Sequence, residues 1–298
     1  MSHFDQLHRY VFTNANVRGE LVQLENSYQE ILDSQQYPAV IQKLLGELMA
    51  AASLLTATLK FKGEIALQLQ SEGCIKYAVI NGTHDQKLRG VARWDSEVKE
   101  LPASLTDLLP KGVLVITITP EEGERYQGIV AVDKPTLSEC LEGYFSQSEQ
   151  LPTKVILKTS ASDGVNRAGG LFLQVLPTSS EMTNESEHEE FAHLSTISQT
   201  ITAEELLGLP ATDVLHRLYH QEEVELYPPQ EVKFSCSCSK ERSAAAIANV
   251  DKQELLNIVA EDGAVRLNCQ YCHKEYSFDA VDVESIHNGA YAAPKQTQ

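Results

Sequence analysis

Four cysteines constrain this chain more than any other feature of it. They read Ser235-Cys236-Ser237-Cys238 and, thirty residues further on, Asn268-Cys269-Gln270-Tyr271-Cys272. Two short-spaced pairs on separate loops can close a tetrahedral cage of four sulfurs around a soft metal ion. With no obvious histidine or carboxylate partner, Cys236, Cys238, Cys269 and Cys272 favour zinc or an iron–sulfur cluster. Two cystines in an oxidising compartment, or free buried thiols, are the competing readings. The second pair has the two-residue gap usual in a zinc knuckle. The first, with a single residue between its cysteines, is unusual for a purely structural site. His273 follows directly, but four sulfurs already saturate zinc, which leaves it an outer or surface role.

The most apolar run, residues 44–59, contains Glu47 and has helical periodicity, so a soluble chain with no membrane partner is expected. No basic, apolar and small-residue series of the secretory kind opens the sequence. That points to a reducing cytoplasm, where thiols bind metal or sense oxidants more often than they form permanent bridges. The net charge of −18 argues against nucleic acid as a partner, since phosphate binding rests on clustered Lys and Arg.

The charge also divides the chain. Residues 178–230 carry 11 acids against Arg217 alone, a net of −10, whereas residues 231–298 carry 10 acids and 7 bases, a net of −3. Three segments result: a core domain over 1–177, an acidic, metastable helical linker over 178–230, and a small metal-binding domain over 231–298. The fold class is α+β, with a large α/β core.

Within the first segment, apolar residues at three- and four-residue steps predict a long helix over 38–60. Strand-like runs follow at 65–69, 75–80, 88–94, 113–119 and 128–132, then a helix opened by the capping box Thr136-Leu137-Ser138-Glu139. Strands at 155–158 and 171–175 flank a glycine-rich loop over 163–170. Cys74 and Cys140 read as packed-core residues. There is no phosphate-binding glycine loop, no nucleophile elbow and no His-Glu-x-x-His, so no enzymatic activity is expected.

The middle segment opens with an acidic tract at 181–190 whose composition disfavours packing on its own. After it come a capping box, Thr202-Ala-Glu-Glu205, and a helical stretch over 211–220. Such short helices need a neighbour to dock on. His216 and His220, four residues apart and near Glu223, read as a solvated or partner-facing side rather than a ligand set. In the third segment residues 243–260 have helical spacing and end at Glu261-Asp262-Gly263. A domain of this size has little core, so metal ligation would supply much of its folding free energy. Lys233, Lys240, Arg242, Arg266 and Lys274 lie near the cysteines in sequence and would offset thiolate charge, unless they simply form a solvated pattern.

Taken together, the Cys-x-Cys and Cys-x-x-Cys pairs resemble those of the redox-regulated 33 kDa heat-shock chaperonin family. The likeness extends to Leu44-Leu-Gly-Glu-Leu-Met-Ala-Ala-Ala, to the stretch from Glu139 to Thr153, and to Arg217-Leu-Tyr-His220 ahead of Phe234-Ser-Cys-Ser-Cys. The resemblance implies a molecular chaperone that holds unfolding client proteins without ATP. It implies one zinc on the four thiolates in an inactive, reduced state. Oxidation to the disulfides Cys236–Cys238 and Cys269–Cys272 would release zinc and unfold the linker. It further implies a homodimer when oxidised and transfer of clients to Hsp70-type refolding machinery.

Two other functions compete. A zinc-ribbon nucleic-acid binder predicts a basic face, against which the net of −3 counts. A thiol oxidoreductase using Cys269 and Cys272 predicts a helix-opening pair, whereas this pair sits between probable strands.

Overall fold

One helix decides the architecture of the larger part of the molecule. In the computed structural model, which describes residues 3–162, 164–176, 185–289 and 291, the chain forms two compact units, Met1–Ser235 and Cys236–Gln298. The first begins with the hairpin β1 (Gln6–Phe12) and β2 (Val17–Leu24), then α1 (Asn26–Leu32) and the long α2 (Ala39–Ala57). A meander of β3 (Gly63–Gln70), β4 (Ile75–Thr83) and β5 (Lys87–Trp94) leads through the one-turn α3 (Leu105–Leu108) to the hairpin β6 (Val113–Pro120) and β7 (Tyr126–Ala131). Helix α4 (Leu137–Tyr144) runs into a π turn at Phe145–Glu149, and the hairpin β8 (Thr153–Ser162) and β9 (Val165–Val175) follows. Next come α5 (Glu185–Gln199), α6 (Ala203–Gly208), α7 (Ala211–Tyr219) and three short strands, β10 (Val224–Leu226), β11 (Gln230–Glu231) and β12 (Lys233–Phe234).

These strands make two sheets, ordered β10-β1-β2-β9-β8, with β11 also on β1, and β12-β5-β4-β3-β6-β7. Helix α2 lies between them. That is why its residues 48–57 are buried all round rather than along one stripe, and why Ala50, Ala51 and Ala52 suit it: small side chains let both sheets approach. By length and composition α2 could cross a membrane, but here it is the core helix. Glu47 keeps a carboxylate at its edge, 3.7 Å from Lys43 Nζ, with burial raising its pKa.

The first sheet is covered on both faces, and its sequence alternates accordingly. Leu7, Val22, Leu24, Val155, Leu157 and Phe172 join the α2 core. Their neighbours Tyr10, Phe12, Leu21, Ile156, Leu171 and Leu173 pack instead against Leu194, Leu206, Leu207, Val214, Leu215 and Tyr219 of α5, α6 and α7. Residues 185–230, read from sequence as part of an acidic helical linker over 178–230, are ordered by docking on this sheet. Residues 181–184 of the acidic tract lie outside the described part. Gln23 secures the docking by donating its amide to Leu206 O at 2.6 Å and Leu209 O at 2.7 Å. Both expected capping boxes are present, at Thr136–Glu139 and Thr202–Glu205.

The glycine-rich loop is shorter than its composition suggests. Gly164 takes the turn at φ +76°, but Gly169 and Gly170 belong to β9, where a Cβ would fall 2.6 Å from Val22 O and from Ile156 O. The first 32 residues also supply two strands and a helix that periodicity did not single out. The smaller unit holds α8 (Lys240–Ile247), α9 (Lys252–Asp262), the hairpin β13 (Val265–Asn268) and β14 (Glu275–Phe278), and α10 (Ala280–His287). The expected single helix is two because Asp251 caps α9 afresh, accepting from Gln253 and Glu254 N–H. Gly263 ends α9 at φ +80°.

Candidate metal centre

The four cysteines are brought together by two backbone devices. Ser239 caps α8 by accepting from Arg242 N–H, so the Cys-x-Cys loop leads straight into a helix N-terminus. Arg242 then reaches back and donates to Ser237 O at 3.0 Å and Ser237 Oγ at 2.8 Å, clamping the loop between its cysteines. On the other side, Cys269 through His273 form the turn of the β13–β14 hairpin. Cys269 N donates to Lys274 O at 3.0 Å and His273 N to Cys269 O at 2.9 Å, while His273 adopts φ +56° to close the turn.

All four Sγ atoms lie within 4.8 Å of one another, and each cysteine is half-buried. Two separations run across the two pairs, Cys236 to Cys269 at 3.5 Å and Cys238 to Cys272 at 3.4 Å. A tetrahedral zinc with Zn–S bonds of about 2.3 Å sets its sulfurs roughly 3.8 Å apart, so these residues fit zinc in both spacing and donor chemistry. Among the described residues no other group of three or more Cys, His, Asp or Glu converges in this way. His216 and His220 have ring centroids 6.5 Å apart and form no such cluster.

Sulfur electrostatics divide the quartet. Burial raises the Cys236 and Cys272 thiols. Burial acts on Cys238 too, but a hydrogen bond from the Tyr276 hydroxyl at 3.1 Å and the neighbouring thiols outweigh it, bringing Cys238 down to about 7. Of the shifted thiols, Cys238 alone moves toward the thiolate that metal ligation needs. Tyr276 went unnoticed in the sequence, and its only local signal is an aromatic four residues after Cys272, on the strand leaving the turn.

The basic residues near the cysteines have mostly local employment. Lys240 pairs with Asp282 at 2.9 Å, Arg266 lies 3.9 Å from Glu275, and Lys274 sits over the Tyr276 ring at 5.5 Å. Lys233 belongs to the other unit and pairs with Glu231 at 2.8 Å. The Arg242 side chain is the one that donates to the loop between Cys236 and Cys238. Cys140 is buried in the α2 core, its thiol raised by burial, and Cys74 packs at that core's margin.

The pattern of the Hsp33 protein family matches residues 5–279. The chain belongs to the Hsp33 family. Its Hsp33 relatives include the 33 kDa chaperonin of Pseudoalteromonas atlantica, 66% identical over 293 residues with 98% of each chain covered. The 33 kDa chaperonin of Shewanella baltica is 57% identical, covering 98% of this chain and 99% of its own. The Hsp33 homologue of Thermotoga maritima shares the fold, with a TM-score of 0.79 at 22% identity over 96% of this chain and 99% of that one. The α+β architecture is therefore that of the Hsp33 fold, and in this chain it carries a small four-cysteine unit.

Proposed function

We propose that this protein is a redox-regulated, ATP-independent chaperone of the holdase kind, acting stoichiometrically rather than by turnover. The observation that carries the reading is the convergence of four thiols, within 4.8 Å, in a unit whose apolar core is small. In a reducing cytoplasm Cys236, Cys238, Cys269 and Cys272 hold one zinc. Bound there, zinc cross-ties the Cys-x-Cys loop to the β13–β14 hairpin and contributes folding free energy to the unit. Arg242 and Tyr276 hold the two loops in position for it.

Under oxidative stress hydrogen peroxide takes two electrons from a cysteine pair. A sulfur–sulfur bond forms, the O–O bond breaks, and the two oxygens leave as two waters, with solvent supplying two protons where the sulfurs start as thiolates. Cys236 with Cys238, and Cys269 with Cys272, are the pairs. A disulfide sulfur no longer carries the thiolate charge that ligation needs. A bridge across a single residue closes a small ring, which suits a readily reversed switch. Without its cross-tie the small unit loses order. The chain from Cys236 back through β12, β11 and β10 to α7 then transmits that loss to helices held only by docking.

Release of α5–α7 uncovers Tyr10, Phe12, Leu21, Leu171 and Leu173, a contiguous apolar sheet face for unfolding clients. Acidic residues of 178–230 keep the opened state soluble. The oxidised protein dimerises and passes its clients to Hsp70-type machinery; neither nucleic acid nor membrane takes part. The deciding experiment follows bound zinc and suppression of client aggregation together, before and after peroxide at mildly raised temperature. Zinc should leave as holding appears, and dithiothreitol with zinc should reverse both. Zinc that stays bound, or leaves with no gain in holding, sinks the proposal.

A further inference from the structure

Strand β7 ends the second sheet, and no other strand among the described residues pairs with its outer side. Exposed edges invite pairing with other chains, and proteins usually blunt them with Lys, Pro or a bulge. This edge has none of these: it reads Tyr-Gln-Gly-Ile-Val-Ala from 126 to 131, without a charge or a proline, in register with β6 throughout. Two of its apolar side chains are also out in solvent, Ile129 at 69% exposure and Tyr126 at 46%, while Val130 packs inward.

The ladder phase says which backbone groups are free to pair. Val132 N donates to Gly112 O at 2.8 Å, and the register carries that phase back along the hairpin. In an antiparallel ladder residues alternate between turning both amide groups toward the partner and turning both away. Val130, Gly128 and Tyr126 therefore face β6, and Gln127, Ile129 and Ala131 point N–H and C=O outward.

Beside the Tyr126 end lies an apolar cavity of about 460 Å³, within the range of small-ligand sites. Leu55, Phe61, Ile116, Ile118, Tyr144 and Phe145 are among its walls. It reaches the edge through two neighbours of Tyr126, since no β7 residue itself lines it. Ile118 is the register partner of Tyr126, and Tyr144 donates from its hydroxyl to Tyr126 Oη at 3.3 Å while its ring packs where a Gly128 Cβ would sit. Phe61, 45% exposed, stands at the mouth.

We propose that β7 is a client-pairing edge: an extended apolar segment of an unfolding protein adds to it as a further strand, and the continuation of that segment places an apolar side chain in the adjoining cavity. The assignment rests on the chaperone reading above and deepens it. Main-chain pairing ignores sequence, which is what a binder of many clients needs, while an apolar cavity selects for exposed hydrophobic side chains without specifying one. The edge is open before any linker release, so it supplies an initial contact, and the sheet face beneath α5–α7 supplies the larger area after oxidation.

The test uses a fluorescent peptide of about ten alternating Val and Thr residues, long enough to span a strand, and full-length protein in both redox states. The peptide should bind both states alike. Methylating its alternate backbone nitrogens on the pairing side should weaken binding about tenfold, the effect of losing one or two net hydrogen bonds. Ile129→Pro should do the same, because that N–H is not used by β6, whereas Ile129→Thr, which keeps the donor, should retain most of the affinity. Equal binding of the plain and N-methylated peptides overturns the proposal without reference to any variant. So does an Ile129→Pro protein that stays monomeric where the unaltered one dimerises, since the edge would then be a contact between copies. The peptide arm needs neither oxidation nor a held client, so its failure sinks the edge alone. Failure of the oxidised protein to hold clients, with peptide pairing intact, sinks the chaperone reading alone.

Discussion

Two cysteines of similar sequence character have opposite surroundings. Cys269 sits in a hairpin turn, half-buried, with three other sulfurs in reach, whereas Cys140 is sealed among the aliphatic residues around α4. Cys269→Ser should therefore abolish stoichiometric zinc binding, and Cys140→Ser should leave it intact, as read by metal analysis of the purified proteins. Equal retention in both would remove the cage assignment. Glu20 makes a different residue-scale prediction. It is 2% exposed, its Oε2 has no hydrogen-bond partner among the described residues, and burial, opposed by Arg18 and Arg9, raises its pKa to about 7. The folded chain therefore binds a proton there that the unfolded chain has released between the ordinary value of 4.5 and about 7, so stability falls as pH rises through that window. Glu20→Gln should abolish this slope and be more stable than the natural protein at pH 8, by on the order of 3 kcal/mol. Thermal unfolding of the larger unit at pH 5 and pH 8 checks it. A variant with the same pH slope as the parent would show that Glu20 is not the titrating group.

At the scale of elements, α6 is six residues long and cannot persist alone. Three contacts hold it: the Thr202–Glu205 capping box, the Gln23 amide on its last carbonyls, and Leu206 and Leu207 in the core shared with α5 and α7. Thr202→Ala should cost about 1 kcal/mol of local stability. Amide exchange over residues 203–219 should quicken while α2 and β9 keep their protection. On the proposed mechanism the variant should also need less heat to become active after oxidation. Uniform quickening throughout the first unit would instead make α6 part of one cooperative block. The capping boxes, the α7 stripe and the turn-borne Cys269–Cys272 pair were all legible, because each is a local pattern whose cause lies within a few residues. By contrast, β1, β2 and α1 went unread. In β1 and β2 alternate residues serve different cores, so both faces of β2 are apolar and the apolar–polar alternation that marks a half-exposed strand is erased. Helix α1 sends Tyr28, Ile31 and Leu32 to one core but is only seven residues long.

For the whole molecule, two units of unequal self-sufficiency predict two unfolding transitions. The larger has a core built from both sheets around α2, while the smaller has eight buried apolar residues among those described. Stripping metal from the reduced protein with a thiol-directed mercurial and a chelator should melt the smaller unit, and its β13–β14 amides should lose protection. The larger unit's thermal transition should stay within a few degrees. A metal-free protein that keeps both sets of protected amides would show that the small core suffices unaided. The sequence by itself determined the family, the α+β class and the candidate ligand set, because thiolate spacing, helix caps and turn residues act over short stretches of chain. Only the tertiary structure decided that α5–α7 cover a sheet face, that Tyr276 tunes Cys238, that Gly169 and Gly170 lie inside a strand, and that no described strand pairs with the outer side of β7. Each of those depends on which distant segments meet, and a burial pattern shared between two faces leaves no local trace of its partners.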